Sequence, residues 1–535
     1  MKTVIIGGGA AGASCAARLR RLDENAQIVI LEKSDVISVA SCGLPYYFSD
    51  IIGDREEMLV STPAYFKKIL NVDVKTGVQV VHIDRMAKTV VDESGEKYTY
   101  DKLVIATGAK NIIPPIKGHD GDHVFSFRTL AEVDRIRQYV SAQKPSSAVV
   151  VGGGFIGLEV AENLIKMGIK TALVEKEAQV LSVVDPDMAA FAEEALAKGG
   201  VSLFLGHTVQ EIGEKEVVLS DGRQVDAALV ILSAGIRADA GIAKKSGLKT
   251  RACGAVKVNA HMMTSDPDIY AAGDCVEIKE FVSGEEDVIA LAGPANRQGR
   301  IIADHICGID STYKNTMATS IIKVFDTVTG HVGLSEKQLR RKNIPYLKIH
   351  AWGYDHASYY PGAKAIFSKL LFEKSGKILG AQIVGENGVD KRIDVIATMM
   401  RMGGTAHDMV DAELAYAPPF SSAKDPVNVL GMVAGNVLSG RLKMIFPDEL
   451  GKDCFLIDMR PERSYAEGTI KEAVNIPLAQ LRGRLGDIPK DKKIVLFCNR
   501  GFQSYMGYRI LVQKGFECVY SLSGGISFYQ KISAG

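Results

Sequence analysis

Along this chain, apolar residues gather in short runs that stop at glycine and give way to apolar positions at helical spacing. The stretch TVIIGGGAAGASCAARLRR reads as a buried strand, a glycine turn and a helix, and QIVILEK reads as the next strand, ending in Glu32. The pattern recurs in SAVVVGGGFIGLEVAENLIKMG, followed by TALVEKE with Glu175 at the strand end. Strand, crossover helix and strand in this order predict parallel sheets and an α/β fold class. A further set of runs, CFLIDMR, KIVLFCNR and ECVYSL, marks a small α/β domain over residues 443–535. There CNRGFQSYMGYRILVQKGF gives a loop and an amphipathic helix. Between these regions, GAQIVGENGVDKRIDVIATMMRMG predicts a strand–helix unit suited to a two-fold interface.

In the first two units the glycines fall in G-x-G-x-x-G spacing: Gly7, Gly9 and Gly12, then Gly152, Gly154 and Gly157. The first glycine permits the tight turn, the second lets the backbone approach a pyrophosphate, and the third lets helix and strand pack closely. The phosphates rest on the helix N-terminus, and the acidic residue about 20 positions on takes ribose hydroxyls. Two such units predict two bound dinucleotides. Glu175 accepts from a free 2′-hydroxyl and repels a 2′-phosphate, which favours NADH over NADPH.

Composition narrows the class. At 535 residues the chain is too long for one domain, and with 47% hydrophobic and 24% charged residues it can bury sizeable cores. A formal net charge of +1 without a basic run argues against a nucleic-acid or membrane-surface role. The first apolar run is too short for a signal peptide, and no run is long enough to cross a bilayer. The eight scattered cysteines do not form a disulfide framework, so a reduced, cytoplasmic protein is expected. No metal centre is expected.

Two more stretches decide which dinucleotide sits where. YDKLVIATGAKNIIPP and TSDPDIYAAGDCVE resemble paired segments of the glutathione reductase-like flavoprotein superfamily. The resemblance covers about residues 1–440. It implies FAD in the first unit, with Asp274 at the flavin ribityl or phosphate region. It also implies that Thr107 and Gly108 mark the crossing to the NADH domain.

The segment ISVASCGLPYY then holds one cysteine, Cys42; the next in the chain is Cys253. A flavoprotein that reduces disulfides usually carries a neighbouring pair. A lone thiolate facing a flavin has two uses: cycling through sulfenic acid with peroxide or oxygen, or forming a mixed disulfide with a small thiol. Either needs a lowered thiol pKa.

SVASCGLPYY resembles the active-site segment of coenzyme A disulfide reductases, whose usual form is Ser-Phe-x-x-Cys; Val39 stands at the phenylalanine position. YYPGAKAI and AYAPPFSSAKDPVN resemble two more segments of that family. The resemblance implies a homodimer in which Tyr360 and Tyr416 of one chain lie near Cys42 of the other. It implies that Arg18, Arg21 and Lys424 reach the phosphates of bound CoA, with Ser38 and Ser41 lining the pantetheine path. Guanidinium and ammonium groups suit those phosphates.

The last domain resembles a rhodanese domain through Asp458 and Arg460 in LIDMRPE, GTIKEAVNIPL, the Cys498 loop and LSGGISFY. Amides of residues 499–503 and the following helix N-terminus are expected to favour an anionic sulfur at Cys498. A phosphatase loop would place arginine six residues after its cysteine, where Ser504 stands. Asn499 and Gln503 leave Arg500 as the loop's cation, which favours persulfide chemistry over transfer from thiosulfate.

The expected organisation is FAD-binding over 1–111 and 243–320, NADH-binding over 112–242, an α+β dimerisation domain over 321–442 and a rhodanese domain over 443–535. The expected activity is NADH-dependent reduction of CoA disulfide, CoA persulfide or polysulfide through a Cys42–CoA mixed disulfide, with Cys498 handling sulfane sulfur. Alternatives are an NADH peroxidase or oxidase using a Cys42 sulfenic acid, and a sulfur-carrier or redox-sensing module.

Overall fold

The computed structural model describes residues 1–451 and 453–533. The glycine-terminated apolar runs form the centres of two parallel sheets. In the first, the strands run in the order Ile269–Ala271, Lys102–Ile105, Lys2–Ile6, Gln27–Leu31 and Asp73–Lys75. Every pairing in it is parallel, with Val4, Ile5, Ile30, Leu103 and Val104 fully buried. Strands covered on both faces read as continuous apolar runs, not as alternation. The helix Ala10–Leu22 crosses between Lys2–Ile6 and Gln27–Leu31 and packs on Ala292–Ile306.

The second sheet has the order Ser202–Leu205, Lys170–Glu175, Ser147–Val151, Leu229–Leu232 and Val124–Ser126, again all parallel. Between the two sheets the backbone passes twice. The two passages, Ala109–Asn111 and Ile236–Ala238, pair antiparallel. Thr107 Oγ1 donates to the Asp239 carbonyl at 2.5 Å, and Asp239 N–H donates to the Gly108 carbonyl at 2.9 Å.

The chain packs as two units: Met1–Val180 with Leu196–Ala318, and Leu181–Ala195 with Thr319–Gly535. The second unit holds an antiparallel five-stranded sheet in the order Ser320–Val324, Thr327–Gly333, Ile378–Gly385, Ala365–Phe372 and Leu347–Tyr354. Helices Val389–Arg401 and Pro426–Leu438 pack on it. Leu181–Ala195 belongs here because Asp185 and Asp187 meet the buried Lys369 ammonium at 3.0 and 2.8 Å, and Glu336 meets it at 2.5 Å. These charges hold the Lys369 pKa above its usual value, while Glu336 is lowered to about 2 against the burial that opposes it. Arg392 and Asp425, each 2% exposed, pair at 2.8 Å beneath the helix N-terminus that Asp425 caps. Removing one member of such a buried pair costs about 3–5 kcal/mol.

The C-terminal part of the same unit is a parallel sheet in the order Met444–Ile445, Val519–Leu522, Lys493–Phe497, Cys454–Asp458 and Val474–Asn475. It leans on the antiparallel sheet. Phe528 stacks near His350 and Phe367 with ring centroids 4.6 Å away, and Val433 and Val437 of Pro426–Leu438 join its core.

Candidate functional site

Both glycine loops have the geometry the spacing demands. Gly7 and Gly152 sit at φ +103° and +115°, in the left-handed region that favours glycine. A side chain on Gly12 or Gly157 would run into the carbonyl of Gly7 or Gly152. Gly9 and Gly154 face open space and begin the helices Ala10–Leu22 and Phe155–Lys166 with no side-chain cap. The first-turn N–H groups are left for an anion. The two acidic residues, expected to take ribose hydroxyls, bind backbone N–H groups in this structure. Glu32 accepts from Gly8 N–H at 2.7 Å and from Ser34 N–H at 2.8 Å; Glu175 accepts from Gly153 N–H at 2.6 Å and from Glu177 N–H at 2.8 Å. Each carboxylate thus ties its own glycine turn to the end of the second strand. Open, uncapped and glycine-lined at the helix start, both loops fit a dinucleotide pyrophosphate.

Asp274 pairs with Arg128 at 3.2 Å, and Arg128 also approaches Gly108. Arg18 pairs with Asp304 at 2.7 Å, whereas Arg21 is exposed at the end of its helix. Ser38, at φ +50°, donates its N–H to the Gly8 carbonyl at 2.9 Å and so hangs the Cys42 segment on the first glycine loop. Ser41 and Cys42 are exposed at the start of a short 3₁₀ turn, Ser41–Gly43, which runs into the helix Leu44–Phe48. Pro45 at the first turn of that helix suits its missing N–H.

The thiol itself departs from expectation. Partial burial, then Glu159, then Asp274 push the Cys42 pKa up, not down. The physical reason is first the lost hydration of a partly buried thiol, and then that the charged groups this chain brings towards the sulfur are carboxylates. Glu159 is half-buried on the helix Phe155–Lys166, and burial together with Glu162 raises its pKa to about 7. The Tyr46 hydroxyl donates to Glu159 Oε1 at 3.2 Å, and its pKa is pushed up to about 12 by burial and by Glu159. Neither Glu159 nor Tyr46 stood out in the sequence. The signal available was their position in the quoted motifs, two residues beyond Gly157 and four beyond Cys42.

In the second unit, Tyr360 is 43% and Tyr416 47% exposed. The Tyr416 hydroxyl lies 2.7 Å from that of Tyr359, the neighbour of Tyr360, and Tyr360 itself stands edge-on to His356 at 5.7 Å. Tyr359 was not anticipated. Tyr416 lines a shallow apolar hollow with Ala415, Ala417 and Phe420, and Lys424 is exposed farther along the same segment. Phe420 is 71% exposed, and a cluster of uncovered aromatics of this kind marks a contact surface.

Cys498 ends the strand Lys493–Phe497 and is 3% exposed. Of the amides expected around it, that of Gly501 donates to Sγ at 3.2 Å; the Ser504 hydroxyl is 3.8 Å away and is held by Gly501 O and Ser521. Asp458 and Arg460 form a buried two-pronged pair, 2.7 Å at its shorter contact, which also takes Thr469 and the Gly468 carbonyl. They shape the segment beside the Cys498 strand. The Arg500 guanidinium lies over the rings of Trp352 and Tyr354 at 5.1 and 5.0 Å. Trp352 in turn donates to the Gly524 carbonyl at 2.8 Å, and His350 bridges Ser523 and Asp187.

Known proteins place the chain in a class. The model of the pyridine nucleotide-disulphide oxidoreductase family matches residues 1–299, that family's dimerisation domain matches 319–426, and a rhodanese-like domain matches 445–531. The chain therefore belongs to the pyridine nucleotide-disulphide oxidoreductases and ends in a rhodanese-like domain. The crystal structure of reduced Bacillus anthracis CoADR-RHD is similar at 42% identity and a TM-score of 0.98, covering 100% of this chain and 98% of that one. A NAD-dependent persulfide reductase from A. fulgidus is similar at 37% identity and a TM-score of 0.94, covering 99% and 100%. Among curated proteins, an NADH oxidase of Methanocaldococcus jannaschii is 34% identical across 82% of this chain and 100% of its own length. A coenzyme A disulfide reductase of Staphylococcus haemolyticus is 32% identical across 81% and 99%.

Proposed function

We propose that this protein is an NADH-dependent reductase of CoA disulfides, CoA persulfides or polysulfides, working as a homodimer in a reducing, cytoplasmic setting. One observation carries the reading. An exposed cysteine without a neighbouring partner cysteine follows the first dinucleotide loop, in a chain that also holds a rhodanese-type Cys498 loop. All eight cysteines are free, and no described helix is long and apolar enough to cross a membrane.

Residues Gly7, Gly9, Gly12, Glu32, Thr107, Gly108 and Asp274 would hold FAD; Gly152, Gly154, Gly157 and Glu175 would hold NADH. Bound FAD supplies two-electron exchange between the nicotinamide and sulfur. Cys42 contributes one sulfur of a mixed disulfide and CoA the other, which is why no second cysteine is needed. Ser38 and Ser41 border the approach to that sulfur, and Arg18, Arg21 and Lys424 offer cations for the CoA phosphates, Arg18 at the expense of its pair with Asp304. Tyr360 and Tyr416, exposed in a single chain, would be covered in a dimer and present hydroxyls to the sulfur of the other subunit.

At Cys498 the Gly501 N–H stabilises sulfur anion, so a persulfide is suited to this loop. The pantetheine arm of CoA is the carrier we assign between the two thiols. The test is intact-protein mass spectrometry after NADH-free isolation: a CoA adduct on Cys42 is expected. A sulfenic acid there instead would favour the oxidase reading, which the M. jannaschii relative supports for the part of the chain it covers. Steady NADH oxidation with a small CoA persulfide and no protein partner is expected too; failure of that turnover would favour a sulfur carrier.

A further inference from the structure

The sequence HAWGY sets His350, Trp352 and Tyr354 two residues apart on Leu347–Tyr354, the edge strand of the antiparallel sheet, so their side chains leave one face. All three meet the chain around Cys498. His350 Nδ1 lies 2.9 Å from Ser523 Oγ, and Trp352 Nε1 donates to the Gly524 carbonyl at 2.8 Å. Arg500, two residues beyond Cys498, lays its guanidinium over the Trp352 and Tyr354 rings at 5.1 and 5.0 Å. The turn that His350 and Trp352 hold is joined directly to the cysteine. Ile526 N–H donates to the Cys498 carbonyl at 2.9 Å, and Ser527 N–H donates to the Asn499 carbonyl at 3.2 Å. A side chain on Gly525, at φ +66°, would lie 2.5 Å from both of those carbonyls, so only glycine allows the approach.

His350 is fixed from its other side too. Its Nε2 is 3.0 Å from Asp187 Oδ2, and its ring stacks on Phe367 and tilts against Phe528 with centroids 5.4 and 4.6 Å away. Asp187 is held below the usual carboxylate range, against burial, by His350 and by the Lys369 ammonium at 2.8 Å. An ionised carboxylate only accepts, so Nε2 carries the proton and Nδ1 accepts from the Ser523 hydroxyl. Burial lowers the His350 pKa and so keeps this neutral form. The order Ser523, His350, Asp187 is that of a hydrolase triad, but Ser523 is fully buried, which makes its hydroxyl an anchor and not a nucleophile.

We propose that His350 and Trp352 are positioning residues for sulfur transfer at Cys498, acting through the Ser523–Gly525 turn. This rests on the assignment of Cys498 as the thiol that carries sulfane sulfur. In that transfer the Cys498 thiolate forms a bond to the outer sulfur of a donor persulfide. The donor S–S bond breaks, its electron pair leaves on the inner sulfur as a thiolate, and the outer sulfur keeps its proton. One S–S bond replaces another, so no reductant is consumed. The rate of such an exchange depends on where the attacking sulfur is held, and a displacement of about 1 Å can cost about 10²-fold.

The experiment uses the full-length, FAD-loaded protein with glutathione persulfide as donor, following the Cys498 persulfide by quenched flow and intact mass. Trp352→Phe keeps a ring for Arg500 and removes the donor to Gly524. It is expected to lower the maximal rate by about tenfold, the scale of one lost hydrogen bond, with the half-saturating donor concentration unchanged. His350→Gln keeps a donor towards Asp187 and should show the same loss. His350→Asn keeps an acceptor near the place of Nδ1 and should recover most of the rate, an order that a general loss of stability does not produce. Ser523→Ala removes the same bond from the other side and decides the matter if the His350 variants do not fold. Parent-like rates in both Trp352→Phe and Ser523→Ala, or equal rates in His350→Gln and His350→Asn, overturn the proposal. So does a loss shared to the same extent by NADH-driven turnover of CoA disulfide. Parent-level reduction of polysulfide by NADH in Cys498→Ser would instead remove the assignment on which the proposal rests.

Discussion

Cys42 and Cys498 each end a glycine-bearing segment of an α/β layer, yet their surroundings differ in almost every respect. Cys42 is exposed, has Glu159 and Asp274 as its charged neighbours, and has its pKa pushed up. Cys498 is buried, receives the Gly501 N–H, and sits in a loop whose Arg500 guanidinium lies over the rings of Trp352 and Tyr354, while Trp352 and His350 hold Gly524 and Ser523. The first environment favours a sulfur that spends its resting time uncharged or bonded to another sulfur. The second gives the sulfur a backbone donor and shields it from solvent. A thiol that exchanges with a diffusing partner has to be reachable; a thiol that stores a terminal sulfur gains from being shielded, since persulfides react with whatever thiol reaches them. On the function proposed above, one chemistry would be divided between two sites instead of a single cysteine being tuned for both.

The largest expected effect breaks that division at its electron-accepting end. Cys42→Ser should lower NADH-dependent reduction of CoA disulfide and of persulfide on the order of 10⁴-fold, as loss of a covalent nucleophile does. Bleaching of the flavin by NADH in a stopped-flow experiment should continue at the parent rate. Parent-level turnover in Cys42→Ser would make the exposed thiol incidental.

At the storage end the effect should be selective. Cys498→Ser is expected to keep turnover of CoA disulfide and lose turnover of polysulfide and of bulky sulfur donors. If all substrates are reduced as well as by the parent, the two sites are not coupled. A finer version uses Trp352→Phe. That change keeps an aromatic face under Arg500 and removes the donor to the Gly524 carbonyl, so it should reduce persulfide accumulation at Cys498 without touching Cys42 alkylation.

Nucleotide choice is a smaller effect, and the structure sharpens how to test it. Glu175→Ala removes the repulsion of a 2′-phosphate but also frees the Gly153 N–H, so it should weaken both nucleotides. Glu175→Gln keeps an acceptor for that N–H and removes the charge. It should narrow the NADH-to-NADPH ratio of kcat/KM by about tenfold, or about 1.4 kcal/mol. An unchanged ratio would assign selectivity elsewhere.

What could be read from the chain alone was what is local in sequence. The glycine loops, their acidic partners, the Cys42 turn and the Cys498 strand end each lie within one strand–turn–helix unit, and spacing specifies such units. What could not be read depends on contacts across the chain. Tyr46 and Glu159 are 113 residues apart, Lys369 and Asp187 are 182 apart, and His350 and Ser523 are 173 apart. Nothing in the local pattern of GLEVAENL separates a solvated glutamate from one whose pKa is raised to about 7. The paired tyrosines show the same limit at short range: the sequence reading singled out Tyr360, and it is its neighbour Tyr359 whose hydroxyl meets that of Tyr416. Likewise, Asp458 and Arg460 were read as a domain signature, and the fold shows the work behind it, a buried pair that holds Thr469 and the Gly468 carbonyl.

The smallest effect contrasts the two units' carboxylates under titration. Glu159 has a folded pKa raised to about 7, above that of an unfolded glutamate. The native state therefore binds more protons than the unfolded one between about 4.3 and 7, and its contribution to stability is lost as pH rises through that window. Glu336 has a folded pKa lowered to about 2, and Asp187 and Asp425 are also held below the usual carboxylate range. For these the unfolded state binds more protons, so their contribution is present above about 4.3 and is lost as pH falls towards 2. The two units should accordingly answer pH with opposite signs. Calorimetry of the parent and Glu159→Gln should give equal melting temperatures near pH 4 and a higher one for the variant at pH 8. The difference should be on the order of 1 kcal/mol, or about 2–4 °C for a region of this size. Glu336→Gln should do the reverse, melting lower than the parent at pH 6 and converging with it as acid protonates the native carboxylate. The buried Lys369 ammonium gives this second change its direction, because it loses one of its three anionic partners only while that partner is charged. A variant pair whose melting curves shift in the same direction with pH would mean that Glu159 is ionised in the folded protein at neutral pH.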